Sequence, residues 1–140
     1  MGRIAAIDYG DVRLGIAITD PMRVIASPLT VVECAGSADH KATVVTNALK
    51  SMVPIDLIVV GLPLLMNGAE SPMSSKARLF ARALQPLFPH IEVILWDERL
   101  SSMQADRLLK EEGGLRRKER AKKVDALSAA LILQSYLLTL

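Results

Sequence analysis

Residues 3–19 read RIAAIDYGDVRLGIAIT and contain two apolar runs. In the first run, residues 3–8, apolar side chains occupy both alternating sets of positions, which predicts a central strand covered on both faces. The second run, residues 14–19, has the same pattern. The five residues between the runs include Gly10 and are typical of a hairpin turn. The pattern therefore predicts two antiparallel strands.

The rest of the chain alternates between helical and strand-like patterns. The predicted elements are a strand at about 29–33, a helix at about 38–52, a strand at 56–60, a helix at about 74–87, a strand at 91–96, a helix from 101 or 102 to Gly113-Gly114, and a helix at about 120–138. Gly61-Leu62-Pro63 is predicted to open a loop. The order predicts one α/β domain over residues 1–140, with a mixed five-stranded sheet (three antiparallel strands, then two parallel) and helices on both faces.

Composition limits the class of protein. A chain of 140 residues that is 51% hydrophobic can bury a core without a disulfide. Cys34 is the lone cysteine, so core packing in a reducing compartment is expected. No secretory signal is recognised in residues 1–8, and the nearly uncharged run 124–140 is shorter than the ~20 residues of a membrane span. A cytoplasmic protein with no membrane partner is expected.

Two strand ends carry acids where a charge is costly. Asp8 ends a buried strand, and an ionised carboxylate there is unfavourable unless a cation or several hydrogen bonds compensate for it. A turn cap before Tyr9-Gly10 is the alternative for Asp8. Asp97 and Glu98 follow another apolar strand, and alternation allows only one of them to share the face of Asp8. The pattern alone does not decide between them.

Asp125 is the most informative acid, because no charged residue follows it in the apolar final helix. Helical spacing places it on one stripe with Ser128 and Ala129, whose small side chains suit close packing on the sheet. An acid on such a stripe needs a partner. A structural salt bridge to Arg13 or Lys122 is the alternative to a ligand role.

The acids of the two strand ends and of the final helix form an oxygen-ligand set. Carboxylate oxygens without accompanying His or Cys suit Mg²⁺ or Mn²⁺ better than zinc. His40 and His90 each lie alone near the start of an element and are not expected to be ligands.

Ordered motifs run along nearly the whole chain: Asp8-Tyr9-Gly10 with Arg13, Gly15 and Asp20; Gly61-Leu62-Pro63 with Asn67-Gly68; Asp97-Glu98-Arg99-Leu100; and Asp125 with Ala129-Ala130 before Ile132-Leu133-Gln134. Together they resemble the YqgF/RuvX family, which has the ribonuclease H-like fold. The resemblance implies a nuclease of structured nucleic acid that acts in 5′-end maturation of pre-16S rRNA. Resolution of Holliday-junction DNA is the alternative. Ser101-Ser102, where Thr-Thr is common in the family, leaves the substrate preference open.

The resemblance also assigns roles to the acids. Asp8, Glu98 and Asp125 match the family's three catalytic acids, so Glu98 rather than Asp97 is expected in the site. They would hold one or two Mg²⁺ or Mn²⁺ ions, of which one generates the attacking hydroxide and the other stabilises the leaving 3′ oxygen.

Three further residues are candidates for substrate contact. Arg13 and Lys122 are placed to meet phosphate oxygens, although Arg13 could instead form a salt bridge with Asp8 or Asp11. Asn67 lies in a loop that could touch substrate, but Asn67-Gly68 is also an ordinary turn, which we favour.

The segment 107–123 carries eight Lys and Arg residues and three Glu residues. Such a segment suits phosphate contact, and a solvated loop and helix face is the alternative. Tyr9 and Trp96 could stack on a base, but a core position is favoured for Trp96.

Two rival functions and the assembly state remain open at this point. An Asp-x-Gly hairpin also opens the actin and sugar-kinase ATPase fold, but that fold needs two such domains and this chain supplies one. A non-catalytic RNA-binding module with a structural metal site is the other rival. The apolar end Leu137-Leu138-Leu140 suits a monomer or a homodimer.

Overall fold

The computed structural model describes the backbone of residues 2–98 and 117–140 and the side chains of residues 2–98 and 126–140. The strands are β1 (Arg3–Asp8), β2 (Arg13–Thr19), β3 (Ala26–Glu33), β4 (Ile55–Leu62) and β5 (Glu92–Asp97). The helices are α1 (Ala38–Leu49), α2 (Pro72–Leu84) and α3 (Arg117–Leu137), and short 3₁₀ turns follow α1 and α2. The predicted helix between residues 101 and 113 lies outside the described residues.

The five strands form one sheet in the order β3-β2-β1-β4-β5. The pairs β1–β2 and β2–β3 are antiparallel, and β1–β4 and β4–β5 are parallel. This arrangement confirms the predicted mixed sheet. No helix in the described parts of the chain is long and apolar enough to cross a membrane.

The sheet separates two core layers, because alternate residues of β1 point to opposite faces. Ala5 and Ile7 belong to the layer that packs against α1 and α2. Ile4 and Ala6 belong to the layer that contains Ala129 and other buried residues of α3. Helices on both faces are therefore confirmed. Asp8 continues the second set, so it lies on the α3 face.

The prediction that Gly61-Leu62-Pro63 opens a loop was wrong for its first two residues. Gly61 and Leu62 belong to β4 and are paired in register with Trp96 and Asp97 of β5. The strand ends before Pro63, since proline cannot donate a hydrogen bond to a ladder. The longer strand carries β4 to the edge of the sheet where Asp8 lies.

Two other boundaries differ from the predictions. β3 begins at Ala26 rather than at residue 29 and contains Pro28, which is tolerated because β3 is an edge strand. α2 begins at Pro72 rather than at Ser74. Its cap explains this: the Ser71 hydroxyl accepts from the Ser74 backbone N–H at 3.0 Å, and the Ser74 hydroxyl accepts from the Ser71 N–H at 2.8 Å.

Candidate active site

Asp8 and Glu98 come from strand ends on either side of β4. Because β1, β4 and β5 are parallel, their carboxyl ends meet at one edge of the sheet. Asp8 is the last residue of β1. Glu98 directly follows β5, and its backbone N–H donates to the carbonyl of Leu62 at 3.4 Å. The side chains of Asp8 and Glu98 are hydrogen-bonded to each other, so the fold brings together two of the three predicted acids.

Alternation along β5 determines which acid of the Asp97-Glu98 pair reaches Asp8. Trp96 packs in the core layer beneath α3, whereas Leu95 packs in the layer beneath α1 and α2. Glu98 lies two positions beyond Trp96 and is buried, with 7% of its surface exposed. Asp97 lies two positions beyond Leu95 and is exposed. The structure therefore places Glu98, and not Asp97, beside Asp8.

The environment of Glu98 is unfavourable for a negative charge. Burial raises the pKa of Glu98 to about 7; its hydrogen bond with Asp8 acts in the opposite direction, and the charge of Asp97 raises the pKa further. A hydrogen bond between two carboxyl groups requires a proton on one of them. The Oε2 atom of Glu98 is buried and has no hydrogen-bond partner among the described residues. A bound cation would supply both the missing partner and the charge that the proton now provides.

Gly61 provides the space that the Glu98 carboxylate occupies. A Cβ atom added at Gly61 would overlap the Oε2 atom of Glu98 and would lie 2.8 Å from the Cδ1 atom of Ile132 in α3. Glycine inside a strand often marks such a close approach. The sequence contains this signal, but Gly61-Leu62-Pro63 also predicts the start of a loop, and that prediction hides the role of Gly61 in the site.

Substitution Gly61→Ala is expected to destabilise the fold by about 1–3 kcal/mol through overpacking, and to displace the Glu98 carboxylate. Binding of Mn²⁺, measured by calorimetry, should weaken at least about tenfold. Val45→Ala is the control, because Val45 belongs to α1 and is buried in the other core layer. That variant should lose stability but retain its Mn²⁺ affinity; equal Mn²⁺ affinities of wild type and Gly61→Ala would contradict the role of Gly61.

The third predicted acid lies on α3. Asp125 and Lys122 belong to the backbone of this helix, but their side chains lie outside the described residues. One turn after Asp125, Ser128 and Ala129 are buried against the sheet, as the predicted stripe requires. Among the side chains that are described, no group of three or more His, Cys, Asp or Glu residues could hold a metal ion. The participation of Asp125 and Lys122 remains a prediction.

Two predicted contact residues lie near this end of the sheet, of which Arg13 is half-buried and Asn67 is exposed. Arg13 begins β2 and is paired in register with Glu33. Asn67 forms the predicted turn: its Oδ1 atom accepts from the Ala69 N–H at 2.9 Å, and Gly68 has a φ of 86°. Contact of Arg13 or Asn67 with substrate remains a prediction.

The two aromatic candidates for base stacking both belong to the core. Trp96 donates from Nε1 to the hydroxyl of Ser135 at 3.3 Å and packs edge-to-face on Tyr136, which confirms the core interpretation. Tyr9 is 8% exposed and packs on Phe80 with ring centres 5.4 Å apart. Stacking of a base on Tyr9 is therefore contradicted. Cys34 is buried, as expected.

Asp20, another residue of the ordered motifs, has a structural role. Its carboxylate accepts from the backbone N–H groups of Ile25, Val24 and Met22 at 2.8, 2.8 and 3.2 Å, in the turn between β2 and β3. These hydrogen bonds, that from Ile25 first, lower the pKa of Asp20. Asp20 closes this turn at the end of the sheet opposite Asp8.

Residues 2–139 match the family described as RuvX, Holliday junction resolvase. The chain belongs to the RuvX family. A protein of Protochlamydia amoebophila described as "Putative pre-16S rRNA nuclease" is 40% identical and is aligned over 96% of this chain and 92% of its own length. A protein of Endomicrobium trichonymphae with the same description is 43% identical, over 98% and 96% of the two chains.

The fold of this RuvX protein is similar to that of the Thermus thermophilus resolvase RuvC, solved in complex with a Holliday junction substrate. The TM-score is 0.59 at 18% identity, and the alignment covers 99% of this chain and 98% of the other. This similarity confirms the ribonuclease H-like fold. Family membership and the relatives confirm that the chain is a nuclease, a hydrolase of phosphodiester bonds.

Proposed function

We propose that this RuvX protein cuts structured RNA in the cytoplasm, in 5′-end maturation of pre-16S rRNA, with a divalent cation held by Asp8, Glu98 and Asp125. The observation that carries the catalytic part is the Oε2 atom of Glu98. It is buried next to Asp8 and lacks a hydrogen-bond partner in the part of the chain that the structure describes. The descriptions of the relatives support RNA as the substrate. Holliday-junction DNA is the second candidate, because the family description names it.

The residues of the site fit a hard divalent cation. Carboxylate oxygens are the ligands that Mg²⁺ and Mn²⁺ prefer, and the burial of Glu98 beside Asp8 makes a positive charge favourable there. When bound, such a cation supplies Lewis-acid stabilisation of the phosphoryl oxygens and lowers the pKa of a water molecule.

Residues of the chain would hold the cation, exclude water and contact the substrate. Asp8 and Glu98 would hold a cation as carboxylates, so both would have to be deprotonated to serve as its ligands. Ile132 is buried beside Glu98 and excludes water from the inner side of the site, which strengthens the electrostatic interactions there. Asp8 is half-buried and is therefore the more exposed of the two acids. Arg13, Lys122 and Asn67 are our proposed substrate contacts.

Cleavage of two substrates by the same preparation tests the proposal. An rRNA precursor and a four-way DNA junction are incubated with the purified protein and Mn²⁺, and the products are mapped. Preferential cleavage of the precursor near the 16S 5′ end is expected. Preferential cleavage of the junction would assign the protein to the resolvases, and binding of RNA without any cut would favour the non-catalytic RNA-binding module.

The double substitution Lys122→Ala with Lys123→Ala is expected to weaken RNA binding and to flatten its dependence on salt. Each lysine that neutralises a phosphate of single-stranded RNA contributes about 0.7 to the slope of log K against log salt concentration, so the slope should fall by about 1.4. Filter binding between 50 and 200 mM salt measures it. Lys50→Ala, at the exposed end of α1, should leave the slope unchanged. An unaltered slope in the double variant would make 107–123 an ordinary surface segment.

A further inference from the structure

Lys41 is a buried cation on the α1–α2 face of the sheet, at the end that carries the hairpin after Asp8. Only 2% of its surface is exposed. Its Nζ atom donates to the hydroxyl of Tyr9 at 3.1 Å and to the carbonyl of Gly10 at 3.2 Å, and it lies 4.7 Å from the centre of the Tyr9 ring. All of these partners are neutral.

The charge of Lys41 is not matched by a carboxylate within 4 Å in the described part of the chain. Moving an ammonium group out of water is unfavourable, and neutral acceptors with an aromatic face offset this only in part. An ammonium group has three N–H donors, and the hydrogen bonds to Tyr9 and Gly10 use two of them. Both the unmatched charge and the remaining donor favour binding of an anion.

A cleft gives an anion access to this lysine. The cleft has a volume of about 300 Å³ and is lined by Lys41, Lys76 of α2 and Asp11 of the hairpin, among others. A water molecule takes up about 30 Å³ of liquid, so a phosphate group fits there with several waters. Lys76 and Asp11 are each about half exposed and form an ion pair at 3.0 Å. Exposed pairs of this kind are weak, so Lys76 can exchange Asp11 for a phosphate oxygen.

We propose that this cleft binds a phosphodiester group of the nucleic acid strand that is cut, with Lys41 and Lys76 as its ligands. Asp11 follows Asp8 by three residues, so at most about 10 Å of backbone separates the cleft from the candidate active site. Phosphates recur about every 3.4 Å along the axis of one strand. A phosphate within about three nucleotides of the scissile one therefore reaches the cleft. The identity of this ligand rests on the proposed nuclease function.

Binding of a short single-stranded RNA, measured by fluorescence anisotropy in EDTA at several salt concentrations, tests the proposal without any cleavage. Lys41→Met keeps the length of the buried side chain but removes its charge and donors. Lys76→Ala changes an exposed residue. Each substitution should lower the slope of log K against log salt concentration by about 0.7. Asp11→Asn should instead tighten binding about fivefold, because it removes a negative charge from the cleft.

Lys50→Ala is the matched control, since this exposed lysine lies at the other end of α1 and should leave the slope unchanged. If Lys41→Met fails to fold, Lys76→Ala and Asp11→Asn decide the question. Wild-type slopes in the lysine variants would overturn the subsite and would show that Lys41 only anchors the hairpin; they would leave the proposed cleavage at Asp8 intact. The proposal would also be overturned if inorganic phosphate saturated the cleft while the lysine variants kept the wild-type salt slope for RNA binding.

Discussion

Asp8→Asn is expected to abolish Mn²⁺- or Mg²⁺-dependent cleavage of structured RNA, with a loss of at least about 100-fold. Asparagine keeps the size of the side chain but removes the negative charge that a divalent cation requires. Loss of a residue that merely supports a metal ligand already costs 10–100-fold. Single-turnover cleavage of an rRNA precursor measures the effect.

The fold should survive this change, because Asn at position 8 can still hydrogen-bond to the protonated Glu98. Circular dichroism and thermal unfolding check this. Asp97→Asn is the matched control, because it makes the same chemical change one residue before Glu98. The side chain of Asp97 is exposed and lies on the face of the sheet opposite Asp8 and Glu98. It should retain most of the activity. Cleavage by Asp8→Asn at the wild-type rate would refute the assignment of Asp8.

Glu98→Gln is expected to stabilise the metal-free protein at alkaline pH while abolishing cleavage. Burial raises the pKa of Glu98 from an ordinary 4.5 to about 7. The folded protein therefore retains a proton that the unfolded chain releases between about pH 4.5 and 7, so its stability falls as the pH rises through this window and stays lower above it. The full penalty is roughly 3 kcal/mol. Glutamine does not ionise and avoids this penalty.

Urea denaturation in the presence of a chelator tests this prediction. At pH 8 the free energy of unfolding of Glu98→Gln should exceed that of wild type by about 2–3 kcal/mol, and at pH 5 the two should be similar. Added Mn²⁺ should stabilise the wild type more than the variant, since the variant lacks one proposed ligand. Glu92→Gln, an exposed change on β5, should show no such pH dependence. The same stability difference at both pH values would contradict an effect of ionisation.

The sequence predicted the sheet and the position of Asp8 because these depend on local pattern. In residues 3–8, both alternating sets of positions contain apolar side chains, so both faces of the strand must be covered. The structure has α3 on one face and α1 with α2 on the other. The choice between Asp97 and Glu98 could not be made in this way. Leu95 and Trp96 are both apolar, so alternation gave two sets of positions without showing which one faces α3.

The roles of Gly61 and Lys41 depend on contacts between distant parts of the chain. Gly61 matters because Glu98 and Ile132 approach it from two other elements. Lys41 lies in a helix, where lysines are usually exposed, but here its ammonium group is held by Tyr9 and Gly10 of the hairpin after β1. The residues next to Gly61 and Lys41 in the sequence therefore do not indicate these contacts.

The separation of Asp8 and Glu98 along the chain affects when the two acids can meet during co-translational folding. Asp8 is synthesised well before Glu98, which follows the fifth strand, and β4 must be inserted between them. Pairing of such distant strands is a late event in folding. A nascent chain therefore has no assembled acid pair. On the proposed function, cleavage of RNA would have to wait until β5 and Glu98 have been synthesised.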